Sequence, residues 1–281
     1  MKLKYCTTLI FMVSILKITA QSGYSLELNV KTIPTEAVTK KETGIVFLFF
    51  KNASANKIKN SISYKNSSFN YLPDSFYTTN NSSNYNWIEN DFELTHRISP
   101  QLAWEMELKT IAAFEKNLGI SNVRILGGTG IKYEFNKNNS IYLGAKRMTP
   151  FGKAEVLPSI AFNSKLNAKA DITIGFPYSR IQYSNNERNA FSLTNTFDGE
   201  YYQLDQMKTI GENINASRMR FSQMTTALEY ERNMDSSWYM SFQGGYGFNK
   251  KYALTDNRGT TKFNFDANDG YLFNISIKYK P

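Results

Sequence analysis

Long segments that alternate strictly between apolar and polar residues are the feature that most constrains what this chain can fold into. In the segment 101–115, the apolar residues Leu102, Trp104, Met106, Leu108, Ala112 and Phe114 fall on one face of an extended strand. Segments 122–135, 237–250 and 271–279 alternate in the same way. Strands of soluble sandwiches are usually about five or six residues long, whereas about 9–11 tilted residues cross a bilayer. The pattern therefore predicts long strands with lipid on one side.

The composition agrees with strands rather than helices. Mean hydropathy is -0.44, yet aromatic residues make up 15% of the chain. A helical membrane bundle needs about 20 nearly continuous apolar residues in each span, which a chain this polar does not supply. We therefore predict an all-β protein, an antiparallel up-and-down transmembrane β-barrel with short periplasmic turns and long extracellular loops. A soluble secreted β-sandwich is the alternative architecture.

Residues 1–20 have the pattern of a secretory signal peptide. Lys2 and Lys4 precede an apolar stretch over 7–16, and Ala20 offers a small residue at a cleavage point. The apolar stretch is too short to span a bilayer. We predict that this segment is cleaved during export.

Residues 21–281 are predicted to form the barrel in the cell outer membrane. Cys6 lies in the predicted signal peptide, so the remaining chain has no cysteine for disulfides, thiolate metal sites or cysteine nucleophiles. Loss of the three lysines of the signal peptide lowers the formal net charge from +9 to +6. The remaining Lys and Arg are scattered singly, which argues against a nucleic-acid partner. The expected partners are outer-membrane lipid, the barrel-assembly machinery during insertion, and small polar solutes.

Thirteen segments qualify as strands, and their number sets the size of the barrel. Besides the four segments above, they are 26–33, 44–50, 57–71, 87–98, 141–148, 156–163, 170–184, 191–203 and 219–232. Short connections are predicted at 52–56, 99–100, 136–139 and 233–236, and long ones at 72–86, 204–216 and 249–268.

Bacterial single-chain barrels have even strand numbers, so thirteen segments cannot be the final count. We predict about 12 strands, with 10 or 14 as alternatives; Pro177 would give 14 by splitting the segment 170–184, since proline does not fit inside a paired central strand. In 219–232 the apolar positions change from odd (Met219, Phe221) to even, which predicts a β-bulge near Ser222 and Gln223.

Several segments resemble a Bacteroidetes outer-membrane β-barrel family catalogued as a domain of unknown function. They are the signal peptide ending Thr19-Ala20-Gln21 and the stretches 157–160, 172–183 and 197–202. The resemblance would cover nearly the whole mature chain. It implies an outer-membrane barrel with no known activity, and it supplies no functional residues.

His96 is the only histidine and the natural candidate for catalysis by a barrel hydrolase. Such enzymes need a histidine that deprotonates a serine on the same strand face. The nearest downstream hydroxyl is Ser99, and its odd offset places it on the opposite face. We therefore predict an interfacial histidine and no enzyme activity, with no catalytic residue, no cofactor and no metal site.

Charged residues of both signs occupy the polar faces of the predicted strands. The set predicted to line the lumen is Lys57, Lys59, Glu89, Asp91, Glu93, Glu105, Glu107, Lys109, Arg124, Lys132, Glu134, Asp198, Glu200 and Lys278. The carboxylates could instead form a glycosidase pair or a calcium site. If the turn at Ser99 sets the register, Asp91 lies opposite Lys109 and Glu93 lies near Glu107. That alternation of sign favours a water-filled or salt-bridged lumen.

Two functions from different classes fit these features. The first is a porin-like channel or small-solute transport protein with a mixed-charge lumen, in which the charged set determines selectivity. The second is a structural or surface-binding barrel whose lumen is filled by side chains. A lipid-modifying barrel hydrolase is a third, weaker alternative.

Overall fold

A computed structural model describes residues 21–35, 38–71, 82–210, 214–265 and 268–281. The predicted signal peptide lies outside these ranges. Within them the chain forms fifteen β-strands and one short 3-10 helix over Ile120–Asn122. The strands are β1 (Gln21–Ile33), β2 (Val38–Ala53), β3 (Asn56–Tyr71), β4 (Ser82–Arg97), β5 (Leu102–Phe114), β6 (Val123–Glu134), β7 (Asn139–Met148), β8 (Glu155–Lys165), β9 (Ala170–Phe176), β10 (Tyr178–Asn186), β11 (Asn189–Ile210), β12 (Ile214–Asn233), β13 (Trp238–Thr255), β14 (Thr261–Phe265) and β15 (Gly270–Tyr279).

The strands close into an antiparallel barrel. From β1 to β13 each strand pairs with the next, and β15 joins β13 to β1 through the pairs Trp238↔Tyr279 and Leu26↔Tyr279. The short strand β14 pairs only with the last part of β13, so fourteen strands form the ring. The predicted barrel is confirmed, but the predicted count of 12 is not. Pro177 separates β9 from β10, which gives the alternative count of 14.

Tight turns join the strands at the rim where β1 begins and β15 ends, which we call the terminal rim. These turns cover 54–55, 98–101, 135–138, 166–169, 187–188 and 234–237. In four of them an Asn or Asp oxygen accepts the backbone N–H two residues further on, as Asn136 does from Asn138 and Asp235 does from Ser237. The predicted short turns are therefore confirmed.

The wall of the barrel is uneven at the opposite end, the far rim. β11 and β12 have 22 and 20 residues, whereas β9 and β10 have 7 and 9. The predicted loops 204–216 and 249–268 were mostly wrong, because β11, β12 and β13 continue into them and β14 lies in the second. Of the predicted loop 72–86, residues 72–81 lie outside the described part and the remainder belongs to β4.

Large apolar side chains cover the outside of the barrel. Examples with more than a third of their surface exposed are Leu28, Val30, Phe47, Leu108, Ile125, Leu143, Val156, Ile174, Leu193, Leu228, Phe242 and Phe273. They come from strands all around the ring and alternate with inward-facing polar residues. A contiguous apolar surface of this extent is not usual for a protein surrounded by water.

β12 keeps a single alternation along its length, contrary to the predicted change of face. Its pairing with β11 is continuous from Arg232 to Arg218. Met219 and Phe221 are buried inside the barrel, so odd positions face inward on both sides of Ser222. The irregularity near Ser222 exists in the pairing with β13, where the extra residue lies on β13 and Asn249 has a φ of 54°.

An apolar cluster fills the far end of the barrel. Its members, which we call the far-end cluster, are Val38, Phe69, Tyr85, Trp87, Ile111, Ala113, Leu126, Tyr202, Leu204, Ala216, Met219, Phe221, Tyr252 and Leu254. Phe69 stacks on Tyr252 with ring centroids 5.4 Å apart, and Tyr85 lies 4.8 Å from Tyr202. Residues from opposite walls therefore meet in the middle of the barrel.

The long strand β11 extends past the short strands β7 to β10 at the far rim and contacts β5. Gln203 pairs in parallel with Phe114, and the Glu115 N–H donates to the Gln203 carbonyl at 3.2 Å. Asn117 Nδ2 donates to Asp205 at 2.8 Å in the same region. This β5–β11 seam and the far-end cluster together close the far end.

Candidate functional site

A cavity of about 520 Å³ lies inside the barrel below the far-end cluster. Inward-facing residues of β1 to β7, β11 to β13 and β15 contribute to its lining, with Pro177 and the connection after β7. Six of the lining residues are Lys or Arg and five are Asp or Glu. The cavity is thus polar and close to neutral, and it is the candidate functional site.

The most buried charges of the cavity are Lys40, Glu42, Lys65 and Glu200, which we call the buried quartet. Lys40 Nζ lies 2.6 Å from Glu200 Oε2 and 3.0 Å from Glu42 Oε1. Lys65 contacts both carboxylates as well. Each carboxylate is therefore shared by Lys40 and Lys65, and Glu42 also lies 3.9 Å from Lys31 Nζ, which offsets the loss of hydration. Tyr202 donates a further hydrogen bond to Glu200 Oε2 at 3.0 Å.

A second charged network crosses β4 to β7. Lys109 Nζ lies 3.2 Å from Asp91 and 3.4 Å from Glu89. Lys146 Nζ lies 2.5 Å from Glu107. The predicted register is confirmed, since Asp91 pairs with Lys109 and Glu93 pairs with Glu107. The carboxylates are separated by lysines, which does not suit a pair of catalytic acids.

Ion pairs continue towards the terminal rim. Lys59 and Glu93 lie 2.6 Å apart, and their side chains remain 41% and 42% exposed although they point away from the apolar outer surface. Lys132 pairs with Glu134 at 2.9 Å. Lys278 pairs with Glu231 at 2.8 Å and with Glu27 at 3.5 Å. The exposure of the first pair shows that water reaches the interior from this end.

Four residues of the predicted set lie outside these networks. Among the described residues, no ion pair joins Lys57 or Glu105 to a partner. The Arg124 guanidinium lies 3.5 Å from the centroid of the Tyr201 ring. Asp198 Oδ2 accepts hydrogen bonds from two threonine hydroxyls instead of a cation. Arg124 thus contributes to the far-end closure rather than to the charged lumen.

Sequence reasoning missed half of the site. Lys31, Lys40, Glu42, Lys65 and Lys146 belong to the charged networks but were not predicted. The alternation of Lys40 and Glu42 was an available signal. It was overlooked because the strand was predicted to begin at 44, whereas β2 begins at Val38.

Beyond the outer apolar belt, the buried lysine Lys250 has an unpaired ammonium group. Lys250 lies after the irregularity in β13, past the exposed belt residue Tyr246, and is 8% exposed. Its Nζ has no hydrogen-bond partner within the described chain. Burial lowers the pKa of Lys250 to about 8, and the charge of Asp269 opposes this only in part.

The geometry gives no support to the alternative of a barrel hydrolase that uses His96, or to a metal site. His96 faces outward, and its Nδ1 lies 2.8 Å from Asn56 Oδ1 rather than near a serine. Over the described ranges, no group of three or more His, Cys, Asp or Glu residues is placed to hold a metal ion.

No helix in the described part of the chain is long and apolar enough to cross a membrane.

A family model described as Domain of unknown function (DUF6268) matches residues 113–280, which is more than half of the chain. The chain belongs to this family. The DUF6268 region runs from the end of β5 to the end of β15 and contains the three stretches that carried the predicted resemblance after the signal peptide. The Bacteroidetes origin stays a prediction.

Solved structures of outer-membrane channels are similar to this DUF6268 chain at low identity. The KdgM porin is 6% identical, with a TM-score of 0.39 over 90% of this chain and 98% of that one. The Pseudomonas putida toluene transporter TodX is 9% identical, with a TM-score of 0.42 over 92% and 89%. An outer-membrane channel from Pseudomonas putida F1 is 6% identical, with a TM-score of 0.47 over 95% and 97%. No curated protein sequence matches the chain.

Proposed function

We propose that the protein is an outer-membrane barrel that acts as a porin-like channel for small polar solutes. The observation that carries the proposal is the closed ring of fourteen strands around a charged cavity of about 520 Å³. A soluble protein of this size would place apolar residues inside such a ring. Here charged residues surround the cavity and large apolar residues cover the outside; apolar residues fill the interior at the far end.

The location in the membrane is supported by the outer surface. Leu28, Leu108, Ile125, Leu193 and Phe273 are exposed on different strands of one ring, as lipid contact requires. Even numbers of strands and tight turns at the end that holds both termini are typical of bacterial outer-membrane barrels. By that comparison the terminal rim is periplasmic and the far rim is extracellular.

The charged set would determine the electric field along the path of a solute. From the terminal rim inwards, a solute would meet the pair of Lys59 and Glu93, then the network around Lys109, and finally the buried quartet. Positive and negative groups alternate at each level, so such a path would favour polar solutes with little net charge. Lys57, Glu105 and Asp198 belong to the proposed lining without a paired charge.

The described state is closed at the far rim. The far-end cluster and the β5–β11 seam lie between the cavity and the outside. Passage would therefore require the upper part of β11 and β12 to move away from β5. Few backbone hydrogen bonds hold the seam, since the pairing consists of the single bridge between Gln203 and Phe114.

The closed far end also favours a second function. A barrel whose upper lumen is filled by packed aromatic side chains could serve as a structural or surface-binding protein. This alternative predicts that the seam never opens. It differs from the channel in one measurable property, which is ion flow.

Purified protein in planar bilayers separates the two functions. The channel predicts discrete conductance steps in concentrated KCl, and swelling of liposomes in small neutral solutes. The absence of steps at every voltage and salt concentration, with correctly folded protein in the bilayer, would favour the structural barrel. Heat-modifiable migration on a gel provides the check of folding.

A further inference from the structure

Four amide side chains form one wall of the cavity. They are Asn29 on β1, Asn274 on β15, Gln243 on β13 and Gln223 on β12, and all four line the cavity. Gln243 and Asn274 are direct partners across their strands. These strands are consecutive in the ring, and we call the four residues the amide wall; Gln223 lies nearer the far rim than the other three, level with Gly247. The charged networks of β2 to β7 face it from the other side.

Gln223 holds a hydrogen-bond acceptor with no partner. The residue is 3% exposed, and its Nε2 donates to Thr225 Oγ1 at 3.0 Å. Thr225 in turn donates to Asp198 Oδ2 at 3.1 Å. An ionised carboxylate only accepts, so the single hydroxyl proton of Thr225 is committed to Asp198. The orientation of the Gln223 amide is thereby fixed, and its Oε1 is the atom that lacks a donor.

The space beside this oxygen is kept open by a glycine. A Cβ at Gly247 would lie 2.9 Å from Gln223 Oε1. Asn274 Oδ1 is a second buried acceptor without a donor within the described chain. A buried acceptor without a donor costs about 1–3 kcal/mol, so each of the two oxygens marks a position at which a bound molecule would donate a hydrogen bond.

The charges of the cavity favour a neutral molecule. Most lysines that line the cavity already form ion pairs. Lys40 and Lys65 pair with Glu200, and Lys109 pairs with Asp91. An anionic solute would find no free lysine in these networks, and it would meet two unpaired acceptors. The unpaired Lys250 is not among the lining residues, although its Cε lies 3.0 Å from the Cβ position at Gly247, beside Gln223 Oε1. A cation would enter a lining with six basic and five acidic residues, which has no surplus of negative charge. Hydroxyl groups carry no charge that needs a partner, and they can both donate to the amide oxygens and accept from the amide nitrogens.

We propose that the amide wall is a binding site for a neutral, polyhydroxylated solute of the sugar class. The cavity volume of about 520 Å³ suits a molecule between a monosaccharide and a disaccharide. The inference rests on the proposed function in one respect, since a solute must be able to enter the lumen. Binding itself does not require passage through the far rim, because water already reaches the interior from the terminal rim.

Trp87 provides a direct readout, because it lines the cavity and is 8% exposed. Trp104 and Trp238 are the other two tryptophans, and the double variant W104F/W238F leaves Trp87 as the only one. We expect trehalose and glucose to change the Trp87 emission of this protein in detergent, with saturation. Glutamate and lysine at the same concentrations should leave it unchanged. Equilibrium dialysis with labelled trehalose measures the same binding in the natural chain.

Two substitutions test the amide wall itself. Gln223→Met and Asn274→Leu keep the approximate size of each side chain and remove the acceptor. Each should weaken trehalose binding about 3- to 10-fold, the range for one neutral hydrogen bond. Gln182→Met is the matched control, since Gln182 is not among the residues that line the cavity. Heat-modifiable migration confirms that each variant is folded.

The outcomes separate this inference from the proposed channel. Saturable trehalose binding that the two variants weaken and the control preserves supports the site, even if bilayers show no conductance. Conductance without any trehalose or glucose binding overturns the site and leaves the channel intact. Preferential binding of lysine or glutamate, or equal weakening by Gln182→Met, also overturns it.

Discussion

Gln203 on β11 and Phe114 on β5 pair with each other, although five other strands lie between β5 and β11 in the ring. They form the single parallel bridge of the described barrel, between β11 and β5. The bridge exists because β7 to β10 are short while β11 continues past them to Ile210. The two ends of the barrel therefore differ: one is open and charged, and the other is closed by a seam.

Arg124→Ala should loosen the seam. The guanidinium of Arg124 lies on the face of the Tyr201 ring and ties β6 to β11 beside the bridge. A cation–π contact contributes about 1 kcal/mol, so its loss should increase the open fraction of single channels roughly fivefold. Arg232→Ala is the control, since Arg232 is exposed at the terminal-rim end of β12, far from the seam. An equal effect of both variants would contradict a local role for Arg124.

Gly199→Ala should destabilise the low side of the barrel. A Cβ at Gly199 would lie 1.8 Å from the Thr149 carbonyl oxygen, because the connection between β7 and β8 packs directly on β11. Backbone must move to accommodate it, and we expect a lower unfolding temperature in detergent and faster proteolysis of 149–154. Gly244→Ala is the control, since nothing lies within 4 Å of its added Cβ. Unchanged stability in both variants would show that the connection is not held by Gly199.

The outward faces of this barrel could be predicted from the sequence, but the packing of its far end could not. Alternation of apolar and polar residues identified the outward faces, since lipid contact imposes one requirement on every strand. Met219 and Phe221 follow the same alternation but face inward, and nothing in their own segment distinguishes lipid from the far-end cluster. Their burial depends on Phe69 and Tyr252, which are distant in the chain.

The candidate site was predicted in part for a similar reason. Asp91 and Lys109 flank one tight turn, so a local register places them opposite each other. Glu200 meets Lys40 and Lys65 only because β11 leans across the barrel. Such contacts between distant segments depend on how far each strand extends towards the far rim, and strand propensity does not predict that length.

Glu200→Gln should be strongly destabilising. It leaves Lys40 and Lys65 with one carboxylate between them in a buried position, which costs about 3–5 kcal/mol. Urea unfolding in detergent measures the loss. The double variant E200Q/K65M should lose less than the sum of the two single variants, because the pair is removed together. Glu155→Gln is the exposed control, since its pair with Lys153 should contribute less than about 1 kcal/mol.

Lys250→Met should stabilise the protein at neutral pH. The pKa of Lys250 falls from 10.5 to about 8 on folding, so the unfolded chain binds the proton more tightly. The resulting penalty grows as pH falls below 10.5 and is complete below about 8. We expect a gain on the order of 2 kcal/mol at pH 7 that shrinks as the pH rises and disappears above about pH 11, measured by urea unfolding. Lys251→Met, an exposed neighbour, should change little; a gain of equal size at both pH values would contradict this explanation.

A disulfide across the seam tests the central claim most directly. Residues 21–281 contain no cysteine, so Phe114→Cys with Gln203→Cys introduces a single pair at the two bridged positions of β5 and β11. Conductance in planar bilayers is then recorded before and after reduction, with each single cysteine variant as control. A channel that opens at the β5–β11 seam predicts no steps while the disulfide is intact and discrete steps after reduction. Steps of equal frequency in both states, or none in either, would contradict it.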